Sequence, residues 1–161
     1  MWDVEIKLGD LIFEKGTDFI SDAIEDISRS AYSHTAGLVK EHELIEANGF
    51  KKIGYQALDY YAGRIDVYTC NDLTDEQRKA IVDYVIKEVG GHYDYVLFAW
   101  EFIRYMFHCM LPYQEGKTVR ICSTLWADAY RQVGMDLCPG VKYPSPGDLA
   151  ISKLLRKVGS L

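Results

Sequence analysis

The 161-residue chain lacks most of the features that would set its class at sight. No two of its 4 cysteines are spaced as CxxC, and its 4 histidines form no HExxH or comparable ligand pattern. No motif therefore indicates a metal site, and none implies a cofactor. There is no run of lysine or arginine, and the formal net charge is -6, which excludes a nucleic-acid backbone as the main partner. The opening residues Met1-Trp2-Asp3-Val4-Glu5 carry neither a basic nor an apolar stretch, so no secretory signal is expected. The cytoplasm is then the default compartment, where the cysteines remain reduced. Nor is there an unbroken apolar run long enough to span a bilayer. The aromatic segment from Tyr93 to Leu111 approaches that length, but Asp94, Glu101 and Arg104 interrupt it. It reads as a buried or surface-lying helix ended by Pro112, which leaves peripheral membrane contact open.

With 48% hydrophobic and 26% charged residues, the chain suits one globular domain over 1–161. No repeat or linker divides it. Gly9-Asp10-Leu11-Ile12-Phe13 reads as a turn and an early strand, and the apolar spacing from Thr17 to Ser30 as a helix. Tyr32 to Val39 and Glu43 to Gly49 read as an antiparallel hairpin, apolar on both faces and hence buried. Arg64 to Cys70 alternates as a further strand. Thr74-Asp75-Glu76-Gln77 is a capping box that opens a helix running to Gly90-Gly91. A helix from Cys122 is expected to stop near Gly134, and Leu149, Ile151, Leu154, Leu155 and Val158 suggest a final amphipathic helix.

Cys122 stands at the start of its helix, where free backbone N–H groups and the helix dipole favour a thiolate. Taken alone it reads first as a small core residue. A nucleophilic thiol needs a base, and the four histidines differ in their fitness for that task. His42 falls in a turn, His92 follows a helix stop, and His108 adjoins Cys109 without facing it. His34 begins a buried strand, where an imidazole requires a partner.

Glu46 on the neighbouring strand is the candidate for that partner. Pairing Leu38 with Leu44 is expected to leave the two side chains too far apart along the ladder. Pairing Val39 with Glu43 across a three-residue turn makes them diagonal neighbours on one face, ~7–8 Å apart at the backbone. A functional pair predicts the second arrangement. Tyr32, two residues before His34, is expected on the same strand face and lining the cleft.

The segments Gly9-Asp10-Leu11-Ile12-Phe13, Ser33-His34-Thr35-Ala36-Gly37-Leu38-Val39, Leu44-Ile45-Glu46-Ala47 and Cys122-Ser123-Thr124-Leu125-Trp126 together resemble the circularly permuted NlpC-type papain-like enzymes. The resemblance is to the YiiX/YebB-like branch, related to lecithin retinol acyltransferase. It extends to order, since the histidine precedes the cysteine. Gly91 to Tyr95 and Pro144 to Leu149 also resemble segments of those enzymes. The resemblance implies an α+β fold with an antiparallel sheet packed against helices that include the nucleophile helix. It implies a triad carried over to Cys122, His34 and Glu46, with an acyl-enzyme intermediate and no cofactor. The oxyanion would be held by backbone N–H groups of Cys122 and Ser123. The expected substrate is a cell-wall peptide or another small amide. Lipid acyl transfer or ester hydrolysis is the rival chemistry, and a binding module without catalysis is the other class. Oligomeric state is not indicated.

Overall fold

A computed structural model describes residues 4–15, 32–47, 52–93, 119–120 and 122–161. The helix expected over 17–30 and all but the first residue of the aromatic segment, with His108 and Cys109, lie outside the described residues.

The strands are β1 (Leu11–Lys15), β2 (Tyr32–Lys40), β3 (Glu43–Glu46), β4 (Gly54–Ala57), β5 (Ile65–Thr69) and β8 (Arg156–Ser160), with a short 3₁₀ turn at Leu58–Tyr61. They form one antiparallel sheet in the order β4-β3-β2-β1-β5-β8. A separate parallel pair joins β6 (His92–Tyr93) to β7 (Val119–Arg120). The described helices are α1 (Asp75–Lys87), α2 (Cys122–Arg131) and α3 (Pro146–Ala150). Among them no helix is long and apolar enough to cross a membrane.

Alternation along the central strands feeds two cores, one on each face of the sheet. Leu11, Phe13, Val39 and Ile45 pack with Ile81 of α1 and Leu125 and Trp126 of α2. Ile12, Ala36, Leu38 and Leu44 pack on the opposite side with Leu58, Tyr61 and Val67, where Val4 and Ile6 of the N-terminal segment cover them. This is the doubly buried hairpin that the sequence predicts.

The hairpin register corrects the sequence expectation. Leu38 lies opposite Leu44 and Gly37 opposite Ile45, and an irregularity then brings Lys40 opposite Glu43. Leu38–Leu44 and Val39–Glu43 belong to one and the same ladder, so they were never alternatives. Continued by one residue, that ladder sets Glu46 against Ala36, two residues from His34, which is already the diagonal position. The irregularity merely replaces Val39 by Lys40 at the turn.

The C-terminus also departs from expectation. Ser145 and Asp148 form a capping box with Pro146 at the first helical positions, so α3 starts early and ends at Ala150. Ile151, expected on an apolar helix face, is 82% exposed. Residues 156–160 instead pair with β5 and satisfy its outer edge. The Thr74–Gln77 capping box is present as expected, with the Gln77 N–H donating to Thr74 Oγ1 at 3.2 Å.

Helix α2 is buried nearly all round, with only Asp128 and Arg131 half-buried among its residues. It rests on the sheet through two large side chains. The Trp126 Nε1–H donates to the Ile45 carbonyl at 3.1 Å, and the Tyr130 hydroxyl donates to the Gly9 carbonyl at 2.7 Å. Gly37 is what admits the indole, because a Cβ there would come within 2.4 Å of the Trp126 ring. Gly37→Ala is therefore expected to destabilise the fold by about 1–3 kcal/mol, as overpacking does. Urea unfolding would show this as a lower midpoint with an unchanged slope. Gly134, at φ +83°, stops the chain just beyond α2 as the sequence predicts.

Candidate active site

Three elements converge where the β2–β3 ladder ends. Leu38 N–H bonds the Asp10 carbonyl, so alternation along β2 turns the N–H groups of His34 and Ala36 toward β1. It turns that of Thr35 toward the β3 side, where the observed pairs stop at Gly37 and Ile45. That N–H meets the Cys122 sulfur at the first turn of α2. The helix start and the open end of the ladder thus satisfy each other.

His34 Nε2 lies 3.1 Å from Glu46 Oε2, with both side chains largely buried. Since Nε2 is committed to the carboxylate, Nδ1 is the nitrogen left for the thiol. His34 and Cys122 stand within side-chain hydrogen-bonding range of each other. Burial alone would depress the imidazole pKa, but the neighbouring Cys122 and then Glu46 outweigh it and raise His34 to about 10. Burial likewise pushes the Cys122 thiol up, yet the His34 charge and hydrogen bond bring it below the ordinary thiol range. The backbone groups of Thr35 and Ser123 act in the same direction. Both shifts run in the direction that favours a thiolate beside an imidazolium. At the other described cysteines burial prevails: it raises Cys70 despite the Arg78 charge and nearby backbone groups, and raises Cys138 to about 11 despite Arg131.

The sequence-predicted residues fare differently. Cys122, His34 and Glu46 are brought together. Ser123 is adjacent through its backbone, but its side chain is turned away and donates to the Pro144 carbonyl at 2.5 Å, clamping the approach to α3. Tyr32 does not share a face with His34. A register shift between Glu14 and Lys15 sets Tyr32 opposite Lys15, while His34 faces Glu14. Tyr32 then packs on Phe13, donates to Asp66 at 2.6 Å and sits 3.1 Å from the Tyr68 hydroxyl. It belongs to the helix-side core, whereas His34 stacks near Tyr61 of the opposite one.

Tyr61 is the residue that sequence reading missed. Its hydroxyl donates to the same Glu46 oxygen that His34 uses. It comes from a short 3₁₀ turn and carries no motif, so only the folded sheet reveals it. The hydroxyls of Ser33, Thr35 and Thr124, which flank His34 and follow Cys122, are buried without a hydrogen-bond partner among the described residues. Such groups are costly, and they gather here within two residues of the candidate pair.

These features describe a papain-like thiol hydrolase built in permuted order, and comparison with known proteins places the chain there. Residues 5–139 match the profile of the permuted papain-like amidase enzymes, YaeF/YiiX, C92 family, and the chain belongs to that family. It is thus an enzyme of the papain-like cysteine peptidase and amidase group. No curated protein matches it. Among solved structures, that of the metalloprotein yiiX from Escherichia coli O157:H7 is similar at a TM-score of 0.73 and 17% identity. The match covers 97% of this chain and 98% of that one, and it agrees with the α+β fold. Among the described residues no three His, Cys, Asp or Glu side chains converge as metal ligands.

Proposed function

We propose that the protein is a cysteine amidase using Cys122 as nucleophile, His34 as proton carrier and Glu46 as the carboxylate that orients the imidazole, acting on a cell-wall peptide or another small amide. The observation that carries this reading is the unbroken contact chain from Glu46 through His34 to a thiol at a helix start. The Cys122 thiolate adds to the amide carbon, forming the S–C bond, and the carbonyl oxygen becomes an oxyanion. Backbone N–H groups at the start of α2, those of Cys122 and Ser123, are the donors at hand for it. Collapse breaks the C–N bond, and the leaving amine takes its proton from His34. His34, now neutral, accepts a proton from water, the hydroxide adds to the acyl carbon, and the thiolate leaves.

The resting ion pair is open to direct test with iodoacetamide, the modified cysteine being located by mass spectrometry. Cys122 is expected to react at pH 6 about a hundredfold faster than Cys138, a comparably buried thiol that is almost wholly protonated there. The advantage should shrink as pH rises and the other thiols ionise, and should vanish in His34→Ala. Equal rates at pH 6 would remove the activated thiolate and the reading with it.

A further inference from the structure

Tyr61 is not part of the reaction just described, yet its position is hard to assign to packing alone. It is 1% exposed, and its hydroxyl is aimed at Glu46 Oε2, the atom that also faces His34 Nε2. Its ring lies 5.9 Å from the imidazole, centroid to centroid, inclined by 31°. Two donors on one carboxylate oxygen compete, because each draws electron density that the other would otherwise use. Burial and the Glu46 charge both raise the Tyr61 pKa, so the phenol stays a neutral donor throughout the working range.

We propose, building on the amidase reading, that Tyr61 is a positioning residue acting through Glu46: its hydroxyl shares the carboxylate with the imidazole and so limits how tightly Glu46 holds the His34 proton. The need for such a limit follows from the two halves of the reaction. Before acylation the thiolate keeps His34 protonated. Once the sulfur is acylated that charge is gone, and His34 must be neutral at Nδ1 to accept the proton of water. Glu46 is then the anion that opposes neutrality, and the competing phenol weakens it. The other described charges near His34 do not perform this task. Glu14, its cross-strand neighbour on β1, is bound by Arg64 at 2.7 Å, and the Arg64 guanidinium lies 5.5 Å from the Tyr61 ring centre. Among the described residues, α2 presents Cys122 to the imidazole, β3 presents Glu46 and the 3₁₀ turn presents Tyr61.

The test is an NMR titration of the His34 imidazole in Cys122→Ser, which removes the thiolate as acylation does, compared with Cys122→Ser/Tyr61→Phe. Phenylalanine retains the ring, and a thermal melt of each variant fixes a temperature at which both are folded. The His34 midpoint is expected to rise by about 0.5–1 pH unit when the hydroxyl is lost, the effect of returning roughly half the strength of one charged hydrogen bond to the imidazole. A midpoint that is unchanged or lower overturns the inference, and a ring that merely fills space would leave it unchanged. This outcome is separable from the fate of the amidase reading, because the titration involves no turnover. If Cys122→Ala is inactive and the midpoint does not move, only the role of Tyr61 falls. If Cys122→Ala retains activity, the reading on which that role rests falls first.

Discussion

Cys122→Ala is expected to lower kcat/KM for amide hydrolysis by about 10⁴-fold or more, roughly 5.5 kcal/mol of transition-state stabilisation, while leaving the fold intact. The estimate follows from what the thiolate does: without it there is no acyl-enzyme, and the remaining donors at the start of α2 can assist only direct attack by water. The side chain is small and α2 is anchored elsewhere, by Trp126 on Ile45 and Tyr130 on Gly9, so alanine should not disturb the helix. His34→Ala should cost a similar factor, and the double variant little more, because members of one reacting unit are not additive. Peptidoglycan stem peptides, with phospholipids as a contrasting panel, provide the substrates, and circular dichroism melts monitor folding. Turnover within tenfold of wild type in Cys122→Ala would end the mechanism. Turnover of the lipids alone would move the substrate class and keep the nucleophile.

Arg78→Met should have the largest effect on stability, about 3–5 kcal/mol, because it strands a buried carboxylate. Asp10 is 1% exposed and Arg78 6%. Arg78 Nη1 donates to Asp10 Oδ1 at 2.7 Å and to the Leu8 carbonyl at 2.9 Å, and Nη2 to the Cys70 carbonyl at 2.7 Å. The Thr69 hydroxyl donates to the same Asp10 oxygen at 2.6 Å, and the Lys7 N–H reaches the other at 2.9 Å. One guanidinium thus ties α1 to the β1 turn and to the end of β5. Thermal unfolding should fall by roughly 6–20 °C for a domain of this size. Asp10→Asn/Arg78→Met should recover part of the loss, since the uncompensated charge is gone. A single variant that loses less than ~1 kcal/mol would show that water or another donor replaces the guanidinium.

What could be read from the sequence was whatever depends on neighbours along the chain. A cysteine at a helix start, a histidine in a buried strand and a glutamate across one hairpin turn each carry local signals, and folding joins them. Tyr61 could not be read, because its meaning depends on a 3₁₀ turn returning beneath β3, fifteen positions after Glu46. Tyr32 was misread for a different reason. Counting by twos along a strand assumes an unbroken pleat, and the irregularity opposite Glu14 and Lys15 breaks it just before His34. At the C-terminus, Leu154, Leu155 and Val158 fit a helical period, but the free edge of β5 is a tertiary demand that no periodicity expresses.

The contact between Gly37 and Trp126 bears on how this site could be altered. The missing side chain at one position and the large ring at the other occupy a single volume between helix and sheet, directly along α2 from the thiol. That volume acts as a spacer of fixed thickness. Whatever is added at 37 must be taken from 126, or the Cys122 thiol is lifted off His34. The two positions, eighty-nine residues apart in the chain, therefore form one adjustable part.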